Sequence, residues 1–384
     1  MVEKVIVIGA GVYGAAVTAA LARRGARVLL VDAGAPAGGT SGSTFSWTNA
    51  STKHPRSYHD LGVAGMAAHR GLAAEVPGGD WYHEGGNLQW AAGADEREKL
   101  RRKVADVLDY GYEARWLSRA EALELEPDLD PAELPADEIV HFPREGWIEP
   151  ARLIDHLLSG AFSRGAVLVP DDAVIGLEVV GAVVCAVRLA SGRRLVADAV
   201  VNCAGPRAGA IAGLAGLNLP MRNTRGVLVR TSPVEVSISR VIHAPQVHLR
   251  PAGAGRLLLH TRAIDGAVRV SDTGETSADE SAVEEMLEAS RVLCPRIRPA
   301  TVESIRVGER PIPGDGLPVL GRAVELPNFF FAVSHSGVTL SVYAGDLVAA
   351  EVLGEDRDEA LAAFRFERFS SERFSSERPS PAGR

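Results

Sequence analysis

The segment from Lys4 to Asp32 constrains the fold more than any other. Lys4–Ile8 reads KVIVI, a short β-branched run bounded by Gly9, and residues 11–24 are small and apolar enough for a closely packed helix. Gly25 ends that helix, and Arg27–Val31 (RVLLV) is a second buried strand closing on Asp32. Strand, glycine loop, helix and strand within about 30 residues make a βαβ unit, which sets a parallel sheet. The loop Gly9-Ala10-Gly11-Val12-Tyr13-Gly14 has G-x-G-x-x-G spacing in the context that motif requires. Gly9 permits the tight turn, Gly11 lets backbone approach a pyrophosphate, and Gly14 lets helix and strand pack closely. The helix N-terminus then faces phosphate with its positive end. Asp32, with Ala33 beside it, stands where a carboxylate accepts hydrogen bonds from ribose hydroxyls and repels a 2′-phosphate. FAD or NAD fits this site, and NADP does not.

Composition removes whole classes of answer. A chain of 384 residues, 46% apolar and 23% charged with 40 Gly, is neither disordered, collagen-like nor coiled coil. Its 41 basic and 49 acidic residues leave a net charge of −8, which argues against nucleic acid as a partner. Cys185, Cys203 and Cys294 are too few and too scattered for a disulfide framework or a zinc cage, and the histidines lack metal-ligand spacing, so no metal is expected. The chain enters its first strand without a leader-like segment and has no apolar run long enough to span a bilayer, so a cytoplasmic location and no membrane span are expected.

Three more small-residue turns follow along the chain. Gly38-Gly39-Thr40-Ser41-Gly42-Ser43-Thr44 offers hydroxyls and amides to phosphate, with Thr48 just beyond it. Asn202-Cys203-Ala204-Gly205 follows a buried strand, and His335-Ser336-Gly337-Val338-Thr339 opens the last helix. Four glycine turns on one sheet suit a long two-part cofactor, which favours FAD.

The segments VIVIGAGVYGAAVTAALARRGARVLLVDAG, GTSGST, VVNCAG, RGVLVRT, GERPIPGDGLPVLG and HSGVTLSVYAG together resemble the D-amino acid oxidase superfamily of FAD enzymes, on the branch of glycine oxidase and sarcosine oxidase. The resemblance covers roughly residues 3–355. It implies an α/β fold with a discontinuous, Rossmann-like FAD-binding domain (1–80, 141–220 and 305–365). It also implies a second α+β substrate-binding domain on a mainly antiparallel sheet (81–140 and 221–304). Residues 366–384, in which RFSSER occurs twice with Arg373 shared, are expected to be a disordered tail. The implied FAD contacts are Gly9, Gly11, Val12, Tyr13, Gly14, Asp32, Ala33, Thr40, Ser41, Ser43, Thr44, Thr48, Val174, Cys203, Ala204, Gly205, Arg310, Ser336, Gly337, Val338 and Thr339.

The resemblance also implies a reaction. An amino acid or secondary amine lies over the flavin with its carboxylate on an arginine, hydride leaves the amine-bearing carbon, and the resulting imine hydrolyses. Arg310, in GERP, matches that arginine, and a guanidinium offers the planar fork a carboxylate needs. The competing reading pairs Arg310 with a structural acid such as Glu309. His248 in HLRP, or His260 on the next strand, falls where relatives face substrate, and each has packing as its alternative. His335 is a candidate for flavin or substrate contact, able as a neutral imidazole to receive or orient an ammonium proton. Trp47 is pocket wall or core, and Gln89 and Trp90 are weaker candidates.

The departures from the family pattern matter as well. GERPIPGDGLPVLG has no cysteine to carry a covalent flavin, so noncovalent FAD is expected. No lysine follows Lys103, so unless Lys53 reaches the ring, oxygen reactivity falls to other groups, and oxygen or another electron acceptor stays open. The expected activity is oxidation of glycine or an N-substituted glycine to amine plus glyoxylate, with hydrogen peroxide when oxygen accepts. N-carboxymethyl amino acid oxidation in natural-product biosynthesis is a narrower form of it. The alternatives are a D-amino acid dehydrogenase using a quinone or other acceptor, and a noncatalytic FAD-binding assembly factor.

Overall fold

The computed structural model describes residues 2–76, 78–271 and 276–369. Its first layer is a six-stranded sheet in the order Val319–Ala323, Leu326–Val333, Ala199–Asn202, Lys4–Ile8, Arg27–Val31, Val167–Val169. All neighbours are parallel except the hairpin of the first two strands. Lys4–Ile8 is central, and its alternation sends Val5 and Val7 to one core and Ile6 and Ile8 to another. Helices Val12–Arg23, Pro150–Phe162 and Gly337–Val352 cover the first face. Strand Val183–Leu189 of a small antiparallel sheet covers the second, through Val184, Val187 and Leu189. Burial on both faces is why these strands read as continuous apolar runs.

The second layer is an eight-stranded sheet in the order Val302–Arg310, Thr224–Thr231, Leu257–His260, His248–Pro251, Val241–His243, Asn87–Gln89, Ile139–Phe142, Arg115–Leu117. It is antiparallel except where Val241–His243 runs parallel to Asn87–Gln89. Its apolar face, including Ile242, Leu249, Leu257 and Leu259, packs with Val283, Met286 and Leu287 of helix Glu280–Leu293.

The expected α/β layer with a mainly antiparallel second sheet is therefore what forms. Two expected boundaries shift, because 140/141 and 304/305 fall inside strands Ile139–Phe142 and Val302–Arg310, and hydrogen-bonded ladders keep both strands whole in the large sheet. The tail also starts later than 366. Phe366–Phe369 forms a 3-10 turn with both phenylalanines buried, and the Phe366 ring stacks on Phe331 at 5.0 Å. The expected tail from residue 370 onward lies outside the described residues.

The GTSGST loop joins the two layers. Thr40 Oγ1 donates to the Glu309 carbonyl at 2.6 Å, and Arg306 Nη1 donates to the Gly42 carbonyl at 2.7 Å. The first glycine loop is equally constrained. Gly9 has φ +102°, and a Cβ on Gly14 would overlap the Gly9 carbonyl oxygen. Gly14→Ala is expected to destabilise the protein by about 1–3 kcal/mol, because the obstacle is backbone. Gly213→Ala, with open space around its position on helix Ala208–Leu214, is expected to be neutral or mildly stabilising. Thermal unfolding of the two variants side by side checks both.

Candidate active site

Residues directly opposite on neighbouring strands share a face, and here that rule builds the site. His260 pairs with His248, His248 with His243, and His243 with Gln89. A ladder of four polar side chains therefore crosses four strands on the face opposite the apolar core. Ring centroids of His260 and His248 are 5.6 Å apart, and those of His248 and His243 are 4.5 Å apart. Phe45, just after the GTSGST loop, packs against His243 and His260 at 6.0 and 6.1 Å. Trp47 lies 4.2 Å from His243, so it is part of this wall rather than of a separate core. Below Phe45, the buried Arg250 guanidinium donates to the Phe45 and Pro251 carbonyls. Burial, opposed by Glu149, pushes it down to about 10.

Arg310 ends the strand at the edge of the sheet, beside the ladder. Its Nη1 donates to Asp265 Oδ2 at 2.8 Å and to the Arg225 carbonyl at 2.9 Å, and Nη2 lies 3.1 Å from His260 Nε2. Gly226 makes room for this, since a Cβ there would overlap the guanidinium. The acid paired with Arg310 is thus Asp265, not Glu309, which accepts from Asn223 Nδ2 at 2.9 Å. His260 Nε2 is also 3.2 Å from Asp265 Oδ1, so it either donates to that carboxylate or accepts from the guanidinium. Burial works to raise the Asp265 carboxyl, and the bonds from His260 and Arg310 outweigh it and hold it low.

Two imidazoles of the wall are held toward the neutral form. Burial, reinforced by His260 and Arg262, pushes His248 down to about 3, and burial with His248, Lys103 and other cations takes His243 well below the usual imidazole range. His335 is exposed where the helix Gly337–Val352 begins. Protein atoms around it, then Arg310 and Lys53, lower its imidazole.

Sequence reading missed the support beneath this wall. Glu145 is fully buried and accepts from Trp47 Nε1 at 3.0 Å, Asn87 Nδ2 at 3.0 Å, the Ser51 amide at 3.1 Å and Tyr112 Oη at 3.4 Å. With its amide committed to Glu145, Asn87 presents Oδ1 to His243 Nδ1 at 2.8 Å, so Nδ1 carries the proton and Nε2 is bare. The motif-free stretch around Glu145 carries no signal for this role. His243 did carry one, as three histidines spaced across two successive hairpins. A buried lysine and a half-buried one flank the site. Lys53 bonds the Asn49 carbonyl and, at 2.9 Å, Asn49 Oδ1, and burial pushes it down to about 7. Lys103 donates to Gln89 Oε1 at 2.8 Å, and burial pushes it down to about 8. Trp90 belongs to the apolar core.

The expected cofactor residues gather along the C-terminal edge of the six-stranded sheet. Helix Val12–Arg23 starts at Gly11 with no side-chain cap of its own, and the Val12 amide donates to Ser41 Oγ at 3.0 Å. A Cβ on Gly11 would meet that hydroxyl at 2.9 Å. Asp32 accepts from the Ala10 and Gly34 amides, with Ala33 exposed beside it. Ala204 and Gly205 follow the adjacent strand, and the buried Cys203 thiol is pushed up by desolvation. Tyr13 Oη bonds Ser334 Oγ at 2.8 Å, and Tyr58 Oη donates to Ser336 Oγ at 2.7 Å where the last helix opens without a side-chain cap. Gly337 lies against the Tyr13 ring, the Val338 carbonyl bonds His69, and Thr339 Oγ1 accepts from the Asn49 amide at 3.4 Å. Thr44 Oγ1 accepts from the Ser46 amide, Ser43 packs at Gly308, Thr48 is fully buried, and Val174 is half-buried on its strand. Two uncapped helix starts and a glycine loop whose Cβ positions are otherwise occupied fit a flat, phosphate-bearing cofactor.

A glycine-loop layer joined to an antiparallel sheet bearing an arginine and a ladder of polar side chains fits a flavin amine oxidoreductase. The family described as FAD dependent oxidoreductase (DAO) matches residues 4–351, and the chain belongs to it, on the glycine oxidase-like branch. It is 29% identical over 376 residues to glycine oxidase of Geobacillus kaustophilus (strain HTA426), spanning 95% of this chain and 96% of that protein. The crystal structure of glycine oxidase from Geobacillus kaustophilus superposes with a TM-score of 0.82 at 27% identity, covering 94% of this chain and 98% of that one. Iminodiacetate oxidase from Chelativorans sp. BNC1 shares the fold, with a TM-score of 0.77 at 24% identity over 94% and 98% of the two chains. Among the described residues no helix is long and apolar enough to cross a membrane, and no cluster of ligating side chains could hold a metal.

The Glu145 hub makes a direct prediction. In Glu145→Gln the amide NH2 replaces one carboxylate oxygen and faces the two donors that oxygen accepted from, at an expected cost of about 1–3 kcal/mol. Denaturant unfolding measures it, and a cost near zero would remove Glu145 as the support of the wall.

Proposed function

We propose that the protein oxidises the C–N bond of glycine or an N-substituted glycine. The observation that carries this reading is Arg310, a guanidinium at one end of a wall of imidazoles, in a chain 27–29% identical to glycine oxidases over nearly its whole length. FAD would be held by the glycine turns at Gly9–Gly14, Gly38–Thr44, Cys203–Gly205 and Ser336–Thr339 of the six-stranded layer, and substrate would lie on the polar face of the large sheet. The substrate carboxylate takes the N–H groups of Arg310 left beyond Asp265 and His260. Phe45 and Trp47 exclude water from the reacting carbon, and the bare Nε2 of His243 accepts a hydrogen bond from the substrate N–H and orients it. When bound, FAD supplies the hydride acceptor. The substrate carbon gives up a hydride, its nitrogen gives up a proton to solvent or a neutral imidazole, and a C=N bond forms. Water adds to that bond and releases amine plus glyoxylate. Oxygen, yielding hydrogen peroxide, or another acceptor takes the electrons.

FAD is held without a covalent bond. Cys203 is buried with its thiol protonated, and the segment from Gly308 to Gly321 has no cysteine. Acid precipitation is expected to release all the flavin into the supernatant, and yellow colour kept by the pellet would contradict this. Arg310→Ala is expected to lower kcat/KM for a carboxylated amine by about 2–5 kcal/mol of transition-state binding, a factor of about 30 or more. An unchanged kcat/KM would refute the assignment of Arg310 as the carboxylate anchor.

A further inference from the structure

A pocket apart from the histidine ladder lies between helix Arg56–Glu75 and the segment 110–113 that follows helix Ala94–Asp109. Its volume is about 330 Å³, within the range of small-molecule sites. Arg56, His59, Val63 and Met66 recur at three- and four-residue spacing, so one face of the helix lines it, and Tyr110 and Tyr112 line the other side. His59 is 1% exposed, with its ring 5.0 Å from Tyr110 and 5.1 Å from Tyr112. Its Nδ1 bonds the Ala50 carbonyl at 3.0 Å, and a carbonyl only accepts, so Nδ1 carries the proton and Nε2 is a bare acceptor. Burial lowers this imidazole and keeps that lone pair free. Nε2 has no hydrogen-bond partner among the described residues, and it is not sealed in the interior, so it opens on the pocket. A buried acceptor left in this state calls for a donor from outside the protein.

Charges of both signs surround it. The Arg56 guanidinium lies over the Tyr110 ring at 5.3 Å, so it and the His59 imidazole flank the same ring. Its Nε donates to both Asp60 oxygens at 3.1 Å, which leaves its two Nη groups without a partner among the described residues. On the tyrosine side, Arg144 Nε stands 3.6 Å from Glu113 Oε2, too far for a hydrogen bond. The pocket therefore offers a guanidinium fork to a carboxylate, His59 Nε2 and Glu113 to an ammonium, and Tyr110 and Met66 to an apolar group. Its floor is also tied to the histidine wall. Tyr112 Oη donates to Glu145 Oε1 at 3.4 Å, and the Ser51 amide, next to the Ala50 carbonyl that holds His59, donates to the same oxygen at 3.1 Å. Glu145 Oε2 accepts from Trp47 and Asn87, and Asn87 sets the tautomer of His243.

We infer that this pocket binds a zwitterionic amino acid with a large apolar side chain as an effector, and that Glu145 passes its occupancy to the histidine wall. The carboxylate takes the Arg56 Nη groups, the ammonium donates to His59 Nε2 and Glu113, and the side chain packs on Tyr110 and Met66. This position is separate from that of substrate, since the pocket includes neither Arg310 nor a residue of the ladder.

Calorimetric titration of the holoenzyme with L-phenylalanine tests the site. The controls are 3-phenylpropanoate, which lacks the ammonium, and 2-phenylethylamine, which lacks the carboxylate. Wild type is expected to bind L-phenylalanine about tenfold or more tighter than either control, and Arg56→Ala to weaken it by a similar factor. Arg56→Lys should recover part of that loss, and Arg310→Ala should leave the affinity unchanged. Absence of binding, equal binding of the three probes, retention in Arg56→Ala or loss in Arg310→Ala overturns the site. Anaerobic bleaching of the flavin by glycine reads the link. Saturating L-phenylalanine should shift the Kd of glycine by about fivefold or more, and glycine should shift the Kd of L-phenylalanine by the same factor. Tyr112→Phe should still bind L-phenylalanine and lose the shift. A glycine Kd indifferent to L-phenylalanine, or a shift that survives in Tyr112→Phe, overturns the link. Failure of glycine to bleach the flavin overturns the proposed reaction instead, and the calorimetry still decides this site.

Discussion

The register of the large sheet is the constraint on which the site depends. His260, His248 and His243 belong to three strands joined by two hairpins, and they meet only because each is directly opposite the next. A slip of one residue at either hairpin would turn an imidazole into the apolar core and Leu249 or Ile242 toward the cleft. The alternation that buries those apolar residues therefore also lines up the histidines. Packing of the core and assembly of the site are one event.

Electrostatics then divides the cleft into zones. Arg310 is neutralised in place by Asp265, so a substrate carboxylate joins an existing charge network rather than a bare cation. The middle of the cleft holds imidazoles kept toward the neutral form and aromatic rings. Beneath both zones, Glu145 is satisfied by neutral donors, which fixes the Trp47 and His243 rings through hydrogen bonds. Loss of rotamer freedom in these rings is met during folding, before substrate arrives.

Much of the first layer was legible in the sequence because its determinants are local. A β-branched run, three glycines at fixed spacing and an acid at the end of the next strand dictate backbone geometry within about 30 residues. The GTSGST and HSGVT turns were legible for the same reason. Arg310 was visible from its neighbours, but its partner was not. Asp265 is 45 positions away and reaches it through a one-turn helix with no motif. Glu145 and Lys103 were hidden in the same manner, since their contacts arise from tertiary proximity. The boundaries misplaced at 140/141 and 304/305 fell inside strands whose partners are distant in sequence. The early end assigned to the ordered chain overlooked Phe366 and Phe369, aromatic residues set among charges that find a pocket on the six-stranded layer.

The most direct test of the account is the visible spectrum of the purified holoenzyme during anaerobic addition of glycine and N-substituted glycines, with the matching amines lacking a carboxylate as controls. The account predicts that the flavin bands bleach with a carboxylated amine and persist with its decarboxylated counterpart. Bleaching by both to the same extent and at the same concentration would contradict it, because Arg310 would then have no part in placing the reacting carbon.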